Sequence, residues 1–349
     1  MNTIVLTGGG TAGHVTPNLN IIPKLKKHFD NIYYIGSCEI EEKIIKPTGI
    51  PFYKISSTKL IRGKFFANLK IPFKLNHAIK EAKTILKGIK PDVVFSKGGF
   101  VSVPVVFAAN ALNIPIVCHE SDLSLGLANK ICAKKAKTVC TTFPITSEKG
   151  GEKFVYSGSP VNANLLNVSV SEAKAKLKLK TNLPILLVTG GSLGSEAINN
   201  VVLKALDELT KIYYVIHVTG KGNTKQINKP NYLQIEYSNN LPLLICASSV
   251  VVSRAGSNTI FEIALANKPM LLIPLPKGAS RGDQIENANY FKSKNIANVL
   301  LQENLNKTTL INEVNKTYSQ RESLTKAIKK FNPKSGVDKI VYEIIKAKR

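Results

Sequence analysis

"IVLTGGGTAGH", residues 4–14, is an apolar run, a triple glycine and the first residues of a helix. "ILLVTGGSLGS", residues 185–195, repeats that order. A second pair follows the same plan, "VVFSKGGFVSVP" at 93–104 and "VVVSRAGSNTIFE" at 250–262. A short apolar run that ends in a glycine turn and feeds a helix is the opening of a βα unit. Working outward, Ile4–Leu6, Ile32–Ile35, Asp92–Phe95, Ile116–His119 and Thr138–Thr142 read as buried strands. Helical signals lie between them, with Pro17 and Pro104 as helix openers. The alternation then restarts with Ile185–Val188, Val215–Val218, Val250–Val252 and Leu271–Pro274. Near-continuous apolar strands alternating with helices predict parallel sheets covered on both faces. The fold class is therefore α/β, with two doubly wound, Rossmann-like domains. The expected division is 1–160 and 161–335, with the hinge near "SGSPVN" at 157–162 and a last helix, about 336–349, returning to the first domain. Ligands of such sheets sit at the carboxyl ends of the strands. The four glycine loops occupy those ends, so two domains facing each other would line a cleft with them.

The composition narrows the class. A chain of 349 residues suits two ordinary domains. Its longest apolar runs are strand-length, short of the roughly 20 residues that span a bilayer. The N-terminus lacks the basic and long apolar regions of a signal peptide. The five cysteines show no paired spacing and mostly sit in apolar segments, as reduced core residues of a cytoplasmic protein would. The net charge of +25 is spread along the chain, mostly as lysine, and one stretch exceeds this background. From Lys59 to Lys90 the cations meet a single acid, Glu81, and are interleaved with Phe65, Phe66, Leu69, Ile71 and Phe73. Such a segment either inserts into an anionic lipid surface or packs its apolar face inward with lysines outside. The two readings weigh equally on these residues alone.

Gly8-x-Gly10-x-x-Gly13 formally matches the dinucleotide fingerprint, but the acid expected after the second strand is missing; the chain reads Gly36-Ser37-Cys38 there. His14, next to the loop, is either a general base near neutral pH or a residue that merely tethers the loop. Glu262 also has two readings. Thr259-x-x-Glu262 fits a capping box in the first turn of a helix. Alternatively, its carboxylate accepts both hydroxyls of a ribose diol. Gly190, Gly191, Ser192 and the following helix start would then meet phosphates, with Arg254 supplying charge. No Asp-x-Asp occurs, so the carboxylate pair that usually holds a divalent cation against a sugar nucleotide is lacking. No metal and no cofactor are expected.

"GGGTAGHVTPNL", "PDVVFSKGGFVSVPVVFAANALNIPIVCHES", "VTGGSLGSEAIN", "SRAGSNTIFEIALANKPMLLIPLP" and "DQIENANYF", in one order, resemble the MurG family, the peptidoglycan N-acetylglucosaminyltransferases of glycosyltransferase family 28. The resemblance implies a GT-B fold and an inverting, metal-independent transfer from UDP-N-acetylglucosamine. The acceptor would be the muramoyl C4 hydroxyl of undecaprenyl-linked lipid I, and the product lipid II. It assigns the donor to the C-terminal half. There Glu262 takes the ribose, Gly191 and Ser192 the diphosphate, and Gln284 and Asn287 the sugar side, with Ser238 in the segment near the uracil. The N-terminal loops, Gly9, Gly10, Thr11, Gly13, Gly98, Gly99 and Ser102, with Glu120, would receive the acceptor. The segment around Phe65 to Leu75 would dock on an anionic membrane, placing the protein peripherally on the cytoplasmic face. Other cell-wall synthesis proteins are candidate partners, and nucleic acid is not. A diacylglycerol glycosyltransferase and a UDP-sugar 2-epimerase are the alternatives within this fold.

Three departures stand out. The family's GGTGGH has Ala12 in this chain, and its HEQN reads His119-Glu120-Ser121-Asp122. Asp122 adds a negative charge near diphosphates, or serves as the base in place of His14. Where the family often has an arginine contacting the donor, this chain has Asn162, leaving Arg254, Lys221 or helix dipoles to compensate.

Overall fold

A computed structural model describes residues 1–37, 40–57, 71–191, 193–278 and 280–349. Two compact units divide the chain: Met1–Val161 with Ser335–Arg349, and Asn162–Lys334.

In the first unit seven strands run parallel. They are β1 (Thr3–Thr7), β2 (Asn31–Gly36), β3 (Phe52–Lys54), β4 (Val93–Ser96), β5 (Ile116–Glu120), β6 (Thr138–Thr141) and β7 (Phe154–Tyr156), in the order β3-β2-β1-β4-β5-β6-β7. The side-chain period of two decides what each face holds. Ile4 and Leu6 of β1 face the Ala12–Leu25 helix and the C-terminal helix Val337–Ala347, meeting Ile21, Ile340 and Ile344. Val5, between them, faces the other layer with Ala82, Leu86 and Val105. Both layers exclude water, so the middle of β1, Ile4–Leu6, is apolar on both faces. The last helix is tied down where the chain re-enters the unit. Gly336 N–H donates to Ser159 O at 2.5 Å and Ser335 Oγ to Val161 O at 2.7 Å.

The second unit repeats the plan with six parallel strands: β8 (Ile185–Thr189), β9 (Tyr214–Val218), β10 (Tyr232–Ile235), β11 (Val250–Ser253), β12 (Met270–Leu272) and β13 (Asn298–Val299), ordered β10-β9-β8-β11-β12-β13. Leu186 and Val188 of β8 bury against Ile198, Val202 and Leu206 of the Glu196–Ile212 helix.

Two local expectations are corrected. Pro17 does not open its helix: Ala12–Leu25 begins at the glycine loop, and Pro17 and Pro23 lie inside it. Starting the helix at the loop brings its first N–H groups and the positive end of its dipole there, while Pro17 lacks one backbone donor inside the helix. Glu262 is not in a first turn either. Its helix runs Ser257–Leu265 with Gly256 as N-cap, so Glu262 lies in the second turn. No free helix N–H is within its reach, and the capping box does not form. The four cysteines among the described residues, Cys118, Cys132, Cys140 and Cys246, are free and buried.

Candidate functional site

Strand order reverses between β1 and β4, and again between β8 and β11. These are the two topological switch points, where doubly wound sheets carry ligands. All four glycine loops leave from those strands.

In the first unit the loops after β1 and β4 close on each other. Gly9 N–H donates to Gly98 O at 3.2 Å, and a side chain at Gly99, whose φ is +84°, would collide with the Gly9 carbonyl. Ser102 Oγ donates to Gly98 O at 2.6 Å. The next loop group is also taken internally, by a residue that the sequence did not reveal. Glu41, fully buried, accepts the Gly10 N–H at 2.5 Å and the Ser37 hydroxyl at 2.8 Å. Its carboxylate fills the space beside Gly9. The loop thus carries an anion of its own where a dinucleotide would place a phosphate. The start of the Ala12–Leu25 helix, at Thr11 and Ala12, remains to face a ligand. There Thr11 Oγ1 and His14 Nδ1 lie 2.9 Å apart. When Nδ1–H donates to Thr11, Nε2 carries the lone pair that accepts a proton.

Next to these loops stands the His119–Asp122 segment. His119 is buried, 3.4 Å from Gly158 O, and burial followed by the nearby Lys97 charge pushes its pKa well down, so it is neutral. Glu120 organises the turn. One carboxylate oxygen accepts the Asp122 N–H at 2.9 Å; the other accepts the Gly126 N–H at 2.9 Å and the Asn129 amide at 3.0 Å. Burial, then the Asp122 charge, raises its pKa. Glu120→Gln would replace one oxygen by NH₂ and set donor against donor. We expect a loss of about 1–3 kcal/mol in stability, measured by urea unfolding, with donor binding unchanged. Lys97 was quoted in the glycine motif but carried no role in the sequence; its side chain is buried against this segment, donating to Ser121 Oγ at 2.7 Å.

In the second unit, Gly191 has φ +89° and open space around it, while a side chain at Gly194 would strike the Thr219 carbonyl. Ser192 lies outside the described residues. Arg254 is engaged within the unit. It donates to Ile273 O at 3.1 Å, Pro274 O at 3.2 Å, and Ser195 Oγ and Gln302 Oε1 at 2.6 Å each. Ser195 is the N-cap of the Glu196–Ile212 helix, so Arg254 locks the glycine loop to the end of β12. Gln284 spends its oxygen on the Ala255 and Leu275 N–H groups, at 3.3 and 3.1 Å, and the buried Asn287 donates to Ala255 O at 3.2 Å. Both hold the Asp283–Ser293 helix against the β11 loop. The Asn162 side chain accepts the Asn164 N–H at 3.2 Å and Ser238 Oγ the Asn240 N–H at 3.0 Å. Lys221 lies over the exposed Tyr237 ring, 5.4 Å from its centroid. Glu262 differs from all of these. Half-buried at this loop, its carboxylate has no hydrogen-bond partner among the described residues, and burial pushes its pKa up to about 7.

The basic–aromatic segment divides. Phe65, Phe66 and Leu69 lie outside the described residues. The Ile71–Ile89 helix packs Ala78, Ala82 and Leu86 inward with its lysines outside, which is the packing reading. Phe73, in its first turn, is 80% exposed. No helix among the described residues is long and apolar enough to cross a membrane, and none of their His, Cys, Asp and Glu side chains cluster as metal ligands.

Among solved structures, MurG of Acinetobacter baumannii superposes with a TM-score of 0.78, covering 99% of this chain and 100% of its own at 24% identity. The UDP-GlcNAc 2-epimerase of Neisseria meningitidis does so at 0.66, with 99% of each chain covered and 14% identity. Both likenesses concern the fold, and with the paired Rossmann-like units they define a GT-B architecture. The sequence comparisons go further. The glycosyltransferase family 28 N-terminal domain matches residues 4–141 and the family 28 C-terminal domain matches 185–344. A Lachnospira eligens protein named UDP-N-acetylglucosamine–N-acetylmuramyl-(pentapeptide) pyrophosphoryl-undecaprenol N-acetylglucosamine transferase is 46% identical over 346 residues, 98% of each chain. A protein of the same name from Clostridium botulinum (strain Alaska E43) is 45% identical over 353 residues, covering 99% of this chain and 98% of its own. The chain belongs to glycosyltransferase family 28.

Proposed function

We propose that this protein transfers N-acetylglucosamine from UDP-N-acetylglucosamine to the C4 hydroxyl of the muramoyl sugar of lipid I, giving lipid II. The near-full-length identity of 45–46% to relatives named for that transfer carries the reading. The site chemistry supports it. Glu262 is a carboxylate without a hydrogen-bond partner among the described residues, suited to two neighbouring ribose hydroxyls. The loop at 190–195 and the helix start behind it offer N–H groups to a leaving diphosphate, and we assign that step no metal. His14, at the head of the first unit's loop, accepts the acceptor proton as its oxygen attacks the anomeric carbon. That single displacement inverts the centre and requires no covalent enzyme intermediate.

The acceptor is membrane-borne, so the reading includes peripheral attachment at the cytoplasmic face. Phe73, with the basic segment before it, is the docking surface. The test uses labelled UDP-N-acetylglucosamine with EDTA and, in parallel, a lipid I analogue and diacylglycerol. Label on the lipid I analogue is the expected result. Label on diacylglycerol alone, or conversion of the donor to its 2-epimer, would replace this reading by one of those activities.

A further inference from the structure

The first glycine loop leaves little of itself unpaired. Gly8 O accepts the Tyr34 hydroxyl at 2.6 Å, Gly9 N–H donates to Gly98 O at 3.2 Å, and Gly10 N–H donates to Glu41 Oε1 at 2.5 Å. In a glycine loop that binds a nucleotide, backbone N–H groups of this kind meet a phosphate. Here one of them meets a carboxylate of the protein itself. Glu41 has no exposed surface, and Ser37 Oγ donates to its other oxygen at 2.8 Å. The three atoms that would lie nearest a side chain at Gly9 all belong to Glu41. The space that a glycine leaves for the close approach of a ligand is therefore filled by an acid.

This placement also bears on the incomplete dinucleotide fingerprint. That motif wants an acid at the end of the second strand, held out toward a ribose. β2 ends at Gly36, and the acid comes later, in the Ile40–Ile45 helix, turned in against the loop. The second unit differs. Gly191 N–H donates to Thr189 Oγ1 at 3.3 Å, meets no carboxylate among the described residues and has open space beside it. After β9 the chain reads Thr219-Gly220-Lys221, so a cation follows where the first unit supplies an anion.

We propose that Glu41 is a specificity-determining residue, a built-in anion that occupies the phosphate position of the first glycine loop and shuts that loop to phosphates. Of the two similar loops, only the second is then open to a nucleotide. An incoming phosphate meets filled space and like charge at Gly9 and Gly10. For the acceptor the consequence rests on the acceptor reading above: its diphosphate is confined to the start of the Ala12–Leu25 helix.

The experiment needs neither donor nor lipid. Glu41→Ala in the full-length protein removes a CH₂–COO⁻ group, the heavy atoms of an acetate ion. Its Tm is read in chloride, acetate, inorganic phosphate, and chloride with acetamide, at constant ionic strength and with wild type alongside. Glu41→Ala should lower Tm by about 5–10 °C in chloride. Acetate should restore at least about half of that loss, saturably, and phosphate should raise Tm by about 2 °C or more beyond its effect on wild type. Neutral acetamide should do neither. Adding Gly9→Ala, whose methyl enters the vacated space, should abolish both responses. Equal responses to acetate and acetamide, a phosphate effect no larger than on wild type, or responses that survive Gly9→Ala would overturn the proposal and leave Glu41 as packing alone. If Glu41→Ala does not fold in chloride, refolding in acetate or phosphate but not in acetamide supports the proposal, and failure in all of them overturns it. A protein that shows the anion responses but does not bind a lipid I analogue loses the acceptor reading and keeps this one.

Discussion

Replacing His14 by alanine is expected to lower kcat by about 10²–10⁴-fold while leaving the affinity for UDP-N-acetylglucosamine unchanged. A general base contributes only as the proton moves, so its loss appears in turnover and not in ground-state donor binding. The residues proposed to hold the donor belong to the second unit and His14 to the first, so the substitution leaves the proposed donor residues' own unit untouched. Its ring lies at the head of the Ala12–Leu25 helix and is held by Thr11, 2.9 Å from Nδ1. Asp122 is the competing base. Asp122→Asn removes a proton acceptor of nearly the same shape, so the two variants discriminate directly. Turnover within tenfold of wild type for His14→Ala, with a loss of about 10²-fold or more for Asp122→Asn, would transfer the role to Asp122. Single-turnover measurements at saturating donor separate this from any effect on product release.

What the sequence disclosed follows burial. Nine strands announced themselves as apolar runs, and they are the interior strands of the two sheets. The four that did not, β3, β7, β10 and β13, are the sheet edges. An edge strand has one neighbour and a half-open face, so its residues are mixed: Phe52 is half-buried, Tyr53 and Lys54 exposed, and β13 is two residues long. The glycine loops were legible because their chemistry is local. Glu41 and Lys97 were not, because each acts across elements remote in sequence. Glu41 reaches 31 residues back to the Gly10 N–H, and Glu41 and Glu42 look alike until the turn of the helix carries Glu41 inside. Lys97 had a faint signal: it directly follows the buried run Val93–Ser96, where a charge is out of pattern. Arg254 shows the reverse case. Its position pointed to a ligand charge, and its guanidinium is committed to the protein at four acceptors.

Glu262→Gln should weaken UDP-N-acetylglucosamine binding by about 10–100-fold, the scale of one or two charge-assisted hydrogen bonds. Wild-type donor affinity should itself depend on pH. Only the ionised carboxylate accepts both ribose hydroxyls, and burial has raised its pKa from the ordinary 4.5 to about 7. Binding should therefore strengthen as pH rises from 6 to 8, by up to about tenfold per unit below the pKa, and the glutamine variant should lack that dependence. Stability moves the other way. An acid whose pKa is raised on folding keeps its proton longer in the folded state than in the unfolded chain. Its destabilising charge then builds up as pH passes from about 4.5 to about 7. Ligand-free Glu262→Gln should match wild type at pH 5 and be about 1–2 kcal/mol more stable at pH 8, with the partial exposure of the group holding the gain below the full linkage value. Calorimetric melting at both pH values, with donor titrations alongside, reads the two effects separately. A variant less stable at pH 8 that still binds donor normally would mean the carboxylate supports the Ser257–Leu265 helix. A variant more stable and weaker in binding would mean that the site holds an uncomfortable charge for its ligand.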